Sequence, residues 1–290
     1  VAQAIPLTNF IDTSFIGGGV MLFIAGFCML FIPRMFKIGV LIMLLADACF
    51  MLRIFFRSEL NHYLEAETAY VPFIQEMSRD VFTPRNLMTV GEMSSTSLEH
   101  CQQYAAQDGR ELSMTFNFHH LKVDYPGGEK WTLARPDYVA LKSLFSHWQQ
   151  GMHNRAWNAL FWCNHDQPRI ASRFGDEGEH RVTAAKMLAM VLHGMQGTPY
   201  IYQGEEIGMT NPHFAKIEQY RDVESHNMYA ERLAEGQSAD ELLAILASKS
   251  RDNSRTPMQW DASTNAGFTQ GEPWIGVCDN YADINVERAL

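Results

Sequence analysis

The sequence predicts an α/β fold in which parallel strands alternate with helices. Three observations carry that reading. Four short apolar or alternating runs, residues 87–90, 114–118, 160–163 and 199–202, have the length of strands. Helical periodicity lies between them. Three of the runs end in polar clusters, Gly91-Glu92, Asn164-His165-Asp166 and Gln203-Gly204-Glu205-Glu206. Strands alternating with helices pair in parallel, and polar residues at the carboxyl ends of such strands are where barrel enzymes carry their chemistry.

Taken in order, the elements begin with Phe73, Ile74, Met77 and Val81 on one helical face, closed by Pro84 before the first strand. After Glu92 a helix opens within residues 94–98 and runs to about Gln107, where Asp108-Gly109 marks a turn. Beyond the second strand, Asp137 caps a helix whose Val139, Leu141, Leu144, Phe145 and Trp148 are expected to face inward. Residues 183–195 form another apolar helix, ended at Gly197 ahead of the fourth strand. Ser238 and Glu241 have the spacing of a capping box before Leu242, Leu243, Ile245 and Leu246, which predicts a helix over residues 239–248.

Composition narrows the classes of function. With 290 residues and 47% hydrophobic content the chain can bury one large core or two smaller ones, and a net charge of -10 argues against a nucleic-acid surface. Cys28, Cys49, Cys101, Cys163 and Cys278 are odd in number and include no C-x-x-C pair. Neither a disulfide framework nor a metal site is expected, and a reducing, cytoplasmic setting fits.

Residues 1–71 differ in kind. Residues 15–33 are uncharged and strongly apolar, Arg34 and Lys37 interrupt, and residues 38–56 are apolar again except for Asp47 and Arg53. By hydropathy alone this is a candidate membrane hairpin.

Four motifs then converge: T-V-G-E ending at Glu92, C-N-H-D-Q-P-R containing His165 and Asp166, G-T-P-Y-I-Y-Q-G-E-E-I-G-M from Gly197, and R-D-N-S-R-T-P-M-Q-W-D from Arg251. Together they resemble the α-glucosidase branch of the α-amylase-type glycoside hydrolases, from about Pro72 to Leu290. The resemblance implies the second half of a (β/α)8 TIM barrel, strands five to eight, over residues 72–209. An excursion after the eighth strand would occupy residues 210–290, cut before the last barrel helix. Residues 1–71 match no part of that family, so a foreign or frame-altered leader is preferred to a membrane anchor, and no membrane partner is expected.

The resemblance also implies roles. Glycosidic cleavage needs a proton for the leaving oxygen, a carboxylate on the far side of the sugar, and stabilisation of oxocarbenium-like charge. Glu92 carries over as general acid/base, where an isolated G-E would more often be a solvated loop residue. Burial at a strand end is expected to keep it protonated near neutral pH. Asp166 carries over as transition-state stabiliser, and His165 as its partner in holding the sugar hydroxyls. Arg255 carries over as a contact on the leaving-group side. Arg169 is expected either to orient a carboxylate or to make an exposed salt bridge. No nucleophile can be assigned, because the neighbours of Asp47 do not match the motif; this leaves open whether the chain acts by itself.

The stretch F-N-F-H-H-L-K-V-D-Y-P-G-G-E-K-W from Phe116 resembles most closely the branch members that split α,α-trehalose 6-phosphate into glucose and glucose 6-phosphate. Lys122 and Lys130, with His119 and His120 before them, are expected to converge on the phosphate of this small-molecule substrate. A neutral α-glucosidase such as an oligo-1,6-glucosidase is the alternative within the class. A membrane-anchored, non-catalytic partner protein is the alternative outside it. No cofactor is implied.

Overall fold

The computed structural model describes residues 66–290, with side chains from Val71 onward. The expected hairpin of residues 15–56, Asp47, Cys28 and Cys49 lie outside the described residues. Among the described residues no helix is long and apolar enough to cross a membrane. Residues Met77–Leu290 form one compact unit.

Helix α1 (Ala66–Met77) ends in a π turn, Ser78–Phe82, and a 3-10 turn, Thr83–Arg85, after which Asn86 turns left-handed with φ 50° and stops the spiral. The helix forms as predicted, but its apolar face does not point inward: Phe73, Met77 and Val81 are all exposed. The wider i→i+5 turn sets Ser78 inward instead, and its hydroxyl donates to the Gly109 carbonyl at 3.2 Å.

Strands β1 (Val90–Met93), β2 (Met114–Asn117), β3 (Asn158–Phe161) and β4 (Thr198–Tyr200) form one parallel sheet in chain order. This is the expected half of a (β/α)8 barrel. The strand edges differ from the apolar runs in an instructive way. Pairing of β1 begins only at Val90↔Met114. Before it, Thr89 and Ser113 exchange side-chain to backbone hydrogen bonds of 3.0 and 2.9 Å, and Leu87 and Met88 are exposed. Glu92 therefore sits within the strand rather than past it. In β3 the shift is the other way: Trp162 and Cys163 are buried but lie beyond the ladder. An apolar run reports where side chains are covered, and covering by helices continues past the last strand hydrogen bond.

Helix α2 (Leu98–Tyr104) is shorter than predicted and is capped by Ser97, whose hydroxyl accepts from the His100 amide. Helix α3 (Tyr138–Met152) is capped as expected, the Asp137 carboxylate accepting from the Val139 and Ala140 amides at 2.9 Å each. Leu141 and Trp148 are buried, whereas Val139, in the first turn and beside the cap, is 78% exposed. Asp137→Ala should cost about 1 kcal/mol, read as a fall of roughly 2–4 °C in thermal midpoint; an unchanged midpoint would mean the cap carries no stability.

Short helix α4 (Ile170–Phe174) and helix α5 (Arg181–His193) complete the barrel part. Leu141, Leu188 and Leu192 cover Phe161 and Trp162, and the Trp162 indole donates to the Leu188 carbonyl at 2.8 Å. Gly197, with φ 155°, needs to be glycine: a Cβ there would stand 2.7 Å from the Asn158 carbonyl oxygen. Helix α6 (Val223–Ala234), helix α7 (Ala239–Lys249) and the terminal turn α8 (Val286–Ala289) belong to the excursion. Helix α7 has the predicted cap, Ser238 Oγ accepting from the Glu241 amide at 3.2 Å. The excursion has its own core, in which Leu242, Ile245 and Leu246 pack with Phe214, Tyr220 and Met228.

Candidate active site

A cleft of about 240 Å³ opens where β1, β3 and β4 end, lined by Glu92, Phe161, Asn164, His165 and Tyr202. Its floor is aromatic: Phe116 meets the Phe161 and Tyr200 rings edge-on, with centroids 5.0 and 4.7 Å away. The parallel strands thus bring Glu92 and His165, far apart in sequence, to one end of the sheet. The expected desolvation of Glu92 is not supplied by the described residues, since Glu92 is exposed at the rim.

Past β3 the chain turns sharply. Asn164 Oδ1 accepts from the Asp166 amide at 2.8 Å, and its carbonyl accepts from the Gln167 amide. This Asx-type turn presents His165 and Asp166 side by side, with His165 Nε2 3.5 Å from Asp166 Oδ2. Arg255 then locks the turn. Its Nη2 donates to Asp166 Oδ1 at 2.6 Å, its Nε to the His165 carbonyl at 2.9 Å, and its Nη1 to Asp222 Oδ1 at 3.2 Å. Behind it, fully buried Asp252 stands 3.6 Å from Nη1 and accepts the Arg221 and Asp222 amides at 2.6 and 2.8 Å. Arg255 thus contacts Asp166 itself, which the motif alone did not reveal.

A second cation joins this chain of charges. Arg251 Nε lies 2.9 Å from Glu224 Oε2, and its Nη1 lies 4.0 Å from Asp166 Oδ1. Lys130 Nζ donates to the same Glu224 Oε2 at 2.7 Å while resting 4.3 Å above the Trp131 ring. Burial pushes the Lys130 ammonium below its ordinary value, and Glu224 opposes that shift. Two cations on different segments therefore share one carboxylate oxygen beside Asp166.

Lys122 is placed elsewhere, donating to the Ser94 carbonyl at 3.1 Å and to Ser95 Oγ at 3.4 Å, on the loop after β1. The two lysines hold different groups. The histidines do not join them as cations. His120 is buried among Phe145, Phe161 and Trp162, is hydrogen-bonded at 2.9 Å to the Phe161 carbonyl, and is pushed down by burial to about 4. His119 is also lowered by burial and lies against the Trp148 ring. An aromatic pocket stabilises the neutral imidazole, so the expected four-residue basic cluster reduces to its lysines.

Among the described residues Arg169 makes no exposed salt bridge. It is 2% exposed, donates to the Gln203 carbonyl and to Thr256 Oγ1 at 3.2 Å, and lies 5.5 Å from the Tyr202 ring. It ties three loops together. Beside it, burial pushes the Glu205 carboxyl up to about 7, with the Tyr202 amide opposing. A carboxyl raised by folding binds more protons folded than unfolded between about 4.5 and about 7. Stability then declines as pH rises through that window and the loss is complete above it. Glu205→Gln should match the parent near pH 4 and exceed its stability at pH 8 by on the order of 2 kcal/mol, allowing for partial exposure. Denaturant unfolding at the two pH values checks this, and equal stability at pH 8 would contradict it.

Sequence reasoning passed over Arg251, Glu224, Asp222 and Asp252 as individual residues. Arg251 and Asp252 stood inside the quoted R-D-N-S-R motif, but nothing in sequence spacing distinguishes Glu224 or Asp222 on an exposed-looking helix start.

Residues 56–290 match the family profile for the alpha-amylase catalytic domain. Over 218 residues, 75% of this chain and 40% of the relative, the sequence is 83% identical to a trehalose-6-phosphate hydrolase of Escherichia coli. It is 49% identical to an oligo-1,6-glucosidase of Halalkalibacterium halodurans, over 79% of this chain and 41% of the relative. The crystal structure of Bacillus licheniformis trehalose-6-phosphate hydrolase is similar with a TM-score of 0.74 at 59% identity, covering 76% of this chain and 40% of that one. The chain thus spans about two fifths of the length of the relatives it matches.

Proposed function

The chain belongs to the alpha-amylase catalytic-domain family, and on that premise we propose that it supplies the acid/base and charge-stabilising side of a retaining glycoside hydrolase site for α,α-trehalose 6-phosphate. In this reading Glu92 donates its proton to the glycosidic oxygen as the bond to the leaving sugar breaks, and later accepts a proton from the attacking water. Asp166 and His165 hold hydroxyls next to the reacting carbon, and hydrogen bonds there strengthen as positive charge develops on the ring. Arg255, bonded to Asp166 Oδ1, keeps that carboxylate aimed. The nucleophilic carboxylate is assigned to no described residue. The products are glucose and glucose 6-phosphate.

One observation carries the choice of a phosphorylated substrate: Lys130 and Arg251 converge on a single oxygen, Glu224 Oε2, at 2.7 and 2.9 Å, next to Asp166. A phosphate oxygen can take the place of that carboxylate oxygen, and its added charge gains charge-assisted hydrogen bonds that a neutral sugar does not make. The higher identity to a trehalose-6-phosphate hydrolase than to an oligo-1,6-glucosidase supports the same choice. Cytoplasmic residence belongs to this reading, and the cysteines among the described residues, Cys101, Cys163 and Cys278, which are free and buried, fit it.

The test is a chimera in which residues 72–290 replace the corresponding part of the Escherichia coli hydrolase. It should release glucose 6-phosphate from trehalose 6-phosphate with a far higher kcat/KM than it releases glucose from isomaltose. Equal or better use of isomaltose would return the reading to a neutral α-glucosidase.

A further inference from the structure

The three segments that bear the candidate site meet at one buried carboxylate, Asp124, whose side chain is 1% exposed. Arg173 of α4 grips it with both sides of its fork, Nε to Oδ2 at 2.9 Å and Nη2 to Oδ1 at 2.7 Å. Lys249, the last residue of α7, donates from Nζ to Oδ2. Arg173 also donates to the Leu121 carbonyl and, at 2.8 Å, to Gln167 Oε1. The Tyr125 ring lies 5.3 Å from the Arg173 guanidinium and 5.5 Å from the Lys249 ammonium.

Each arm leads to a different part of the site. Asp124 lies in residues 122–130, whose far end is Lys130. Arg173 reaches Gln167, the residue after Asp166. Lys249 stands two residues before Arg251. Burial works against ionised Asp124, but the charges and hydrogen bonds of Arg173 and Lys249 outweigh it and hold the carboxyl below its usual range. All three side chains are 1–2% exposed. A well-packed apolar trio would stabilise a core as well as buried ions do; what the ions add is direction, since each bond has a fixed length and angle.

We propose that Asp124, Arg173 and Lys249 form a positioning clamp that sets Lys130, Asp166 and Arg251 in one register, so that binding of a phosphorylated sugar and placement of Asp166 are coupled. The inference rests on the reading of Lys130 and Arg251 as ligands of the phosphate. Asp124 is a positioning residue, because it acts through its neighbours and touches no substrate.

Hydrogen exchange on the full chain tests it, using Lys249→Met, which keeps the Asp124–Arg173 pair, together with Lys249→Arg and Asp124→Asn. Without ligand, Lys249→Met should speed amide exchange roughly tenfold in residues 122–130 and 164–169 as well as in 249–255, and Lys249→Arg should restore the parent rates. Acceleration confined to 249–255 overturns the clamp. Glucose 6-phosphate is the probe for the coupling. In the parent it should slow exchange in all three segments, and in Lys249→Met in 122–130 and 249–255 but not in 164–169. Equal protection of all three in the variant overturns the coupling even if binding persists. If glucose 6-phosphate protects no segment of the parent, the phosphate reading fails and the coupling with it, while the ligand-free rates still decide whether the clamp exists.

Discussion

In the chimera, Glu92→Gln lowers kcat on trehalose 6-phosphate by about a hundred- to ten-thousandfold, the range general acid–base catalysis contributes. The amide keeps the size and polarity of the carboxyl but has no proton to give. The leaving group here is a sugar hydroxyl, a poor anion at neutral pH, so bond breaking waits on the missing proton. An aryl α-glucoside with an acidic phenol as leaving group does not need that proton. Its first turnover, seen as the initial release of phenol, should survive Glu92→Gln far better than disaccharide cleavage. The second half of the reaction still needs a base to activate water, so steady-state turnover on the aryl substrate should fall after the first release. Equal losses in the first turnover of both substrates would show that Glu92 shapes the cleft rather than delivering the proton.

What was legible in the sequence was legible for local reasons. Asp137 and Ser238 announced their helices because a cap acts within three residues of itself, and both cap as read. The parallel pairing of the four strands followed from alternation with helices. The strand limits did not, because apolar runs mark covering and not pairing: Leu87 and Met88 lie outside β1 and are exposed, while buried Trp162 lies past β3. The site was legible where a motif keeps its residues adjacent, as in Asn164, His165 and Asp166. Its ion network was not, since Lys130 meets Glu224 94 residues away and Asp166 meets Arg255 89 residues away. The histidines misled for a related reason. In sequence His119 and His120 look like neighbours of Lys122, but what fixes their charge is the aromatic surface that Phe161, Trp162 and Trp148 bring from other elements.

That same geometry separates the two lysines, and the separation is measurable. Lys130→Ala in the chimera should lower kcat/KM for trehalose 6-phosphate relative to an uncharged α-glucoside by about ten- to a hundredfold, since a charge-assisted hydrogen bond is worth roughly 1.5–3 kcal/mol. Lys122→Ala should cost less of the preference, because the Lys122 ammonium is held by Ser94 and Ser95, away from Glu224 and Arg251. Added salt should erode the preference of the parent and matter less in Lys130→Ala, because part of the attraction is screened. Glu224→Gln provides the opposite arm. Removing the carboxylate that Lys130 and Arg251 share leaves both cations without their competing anion, so the phosphate preference should rise and its salt dependence should steepen. Larger losses in Lys122→Ala than in Lys130→Ala would move the phosphate to the loop after β1. Equal losses on charged and uncharged substrates in both variants would make residues 122–130 structural, and the case for a phosphorylated sugar would then rest on sequence identity alone.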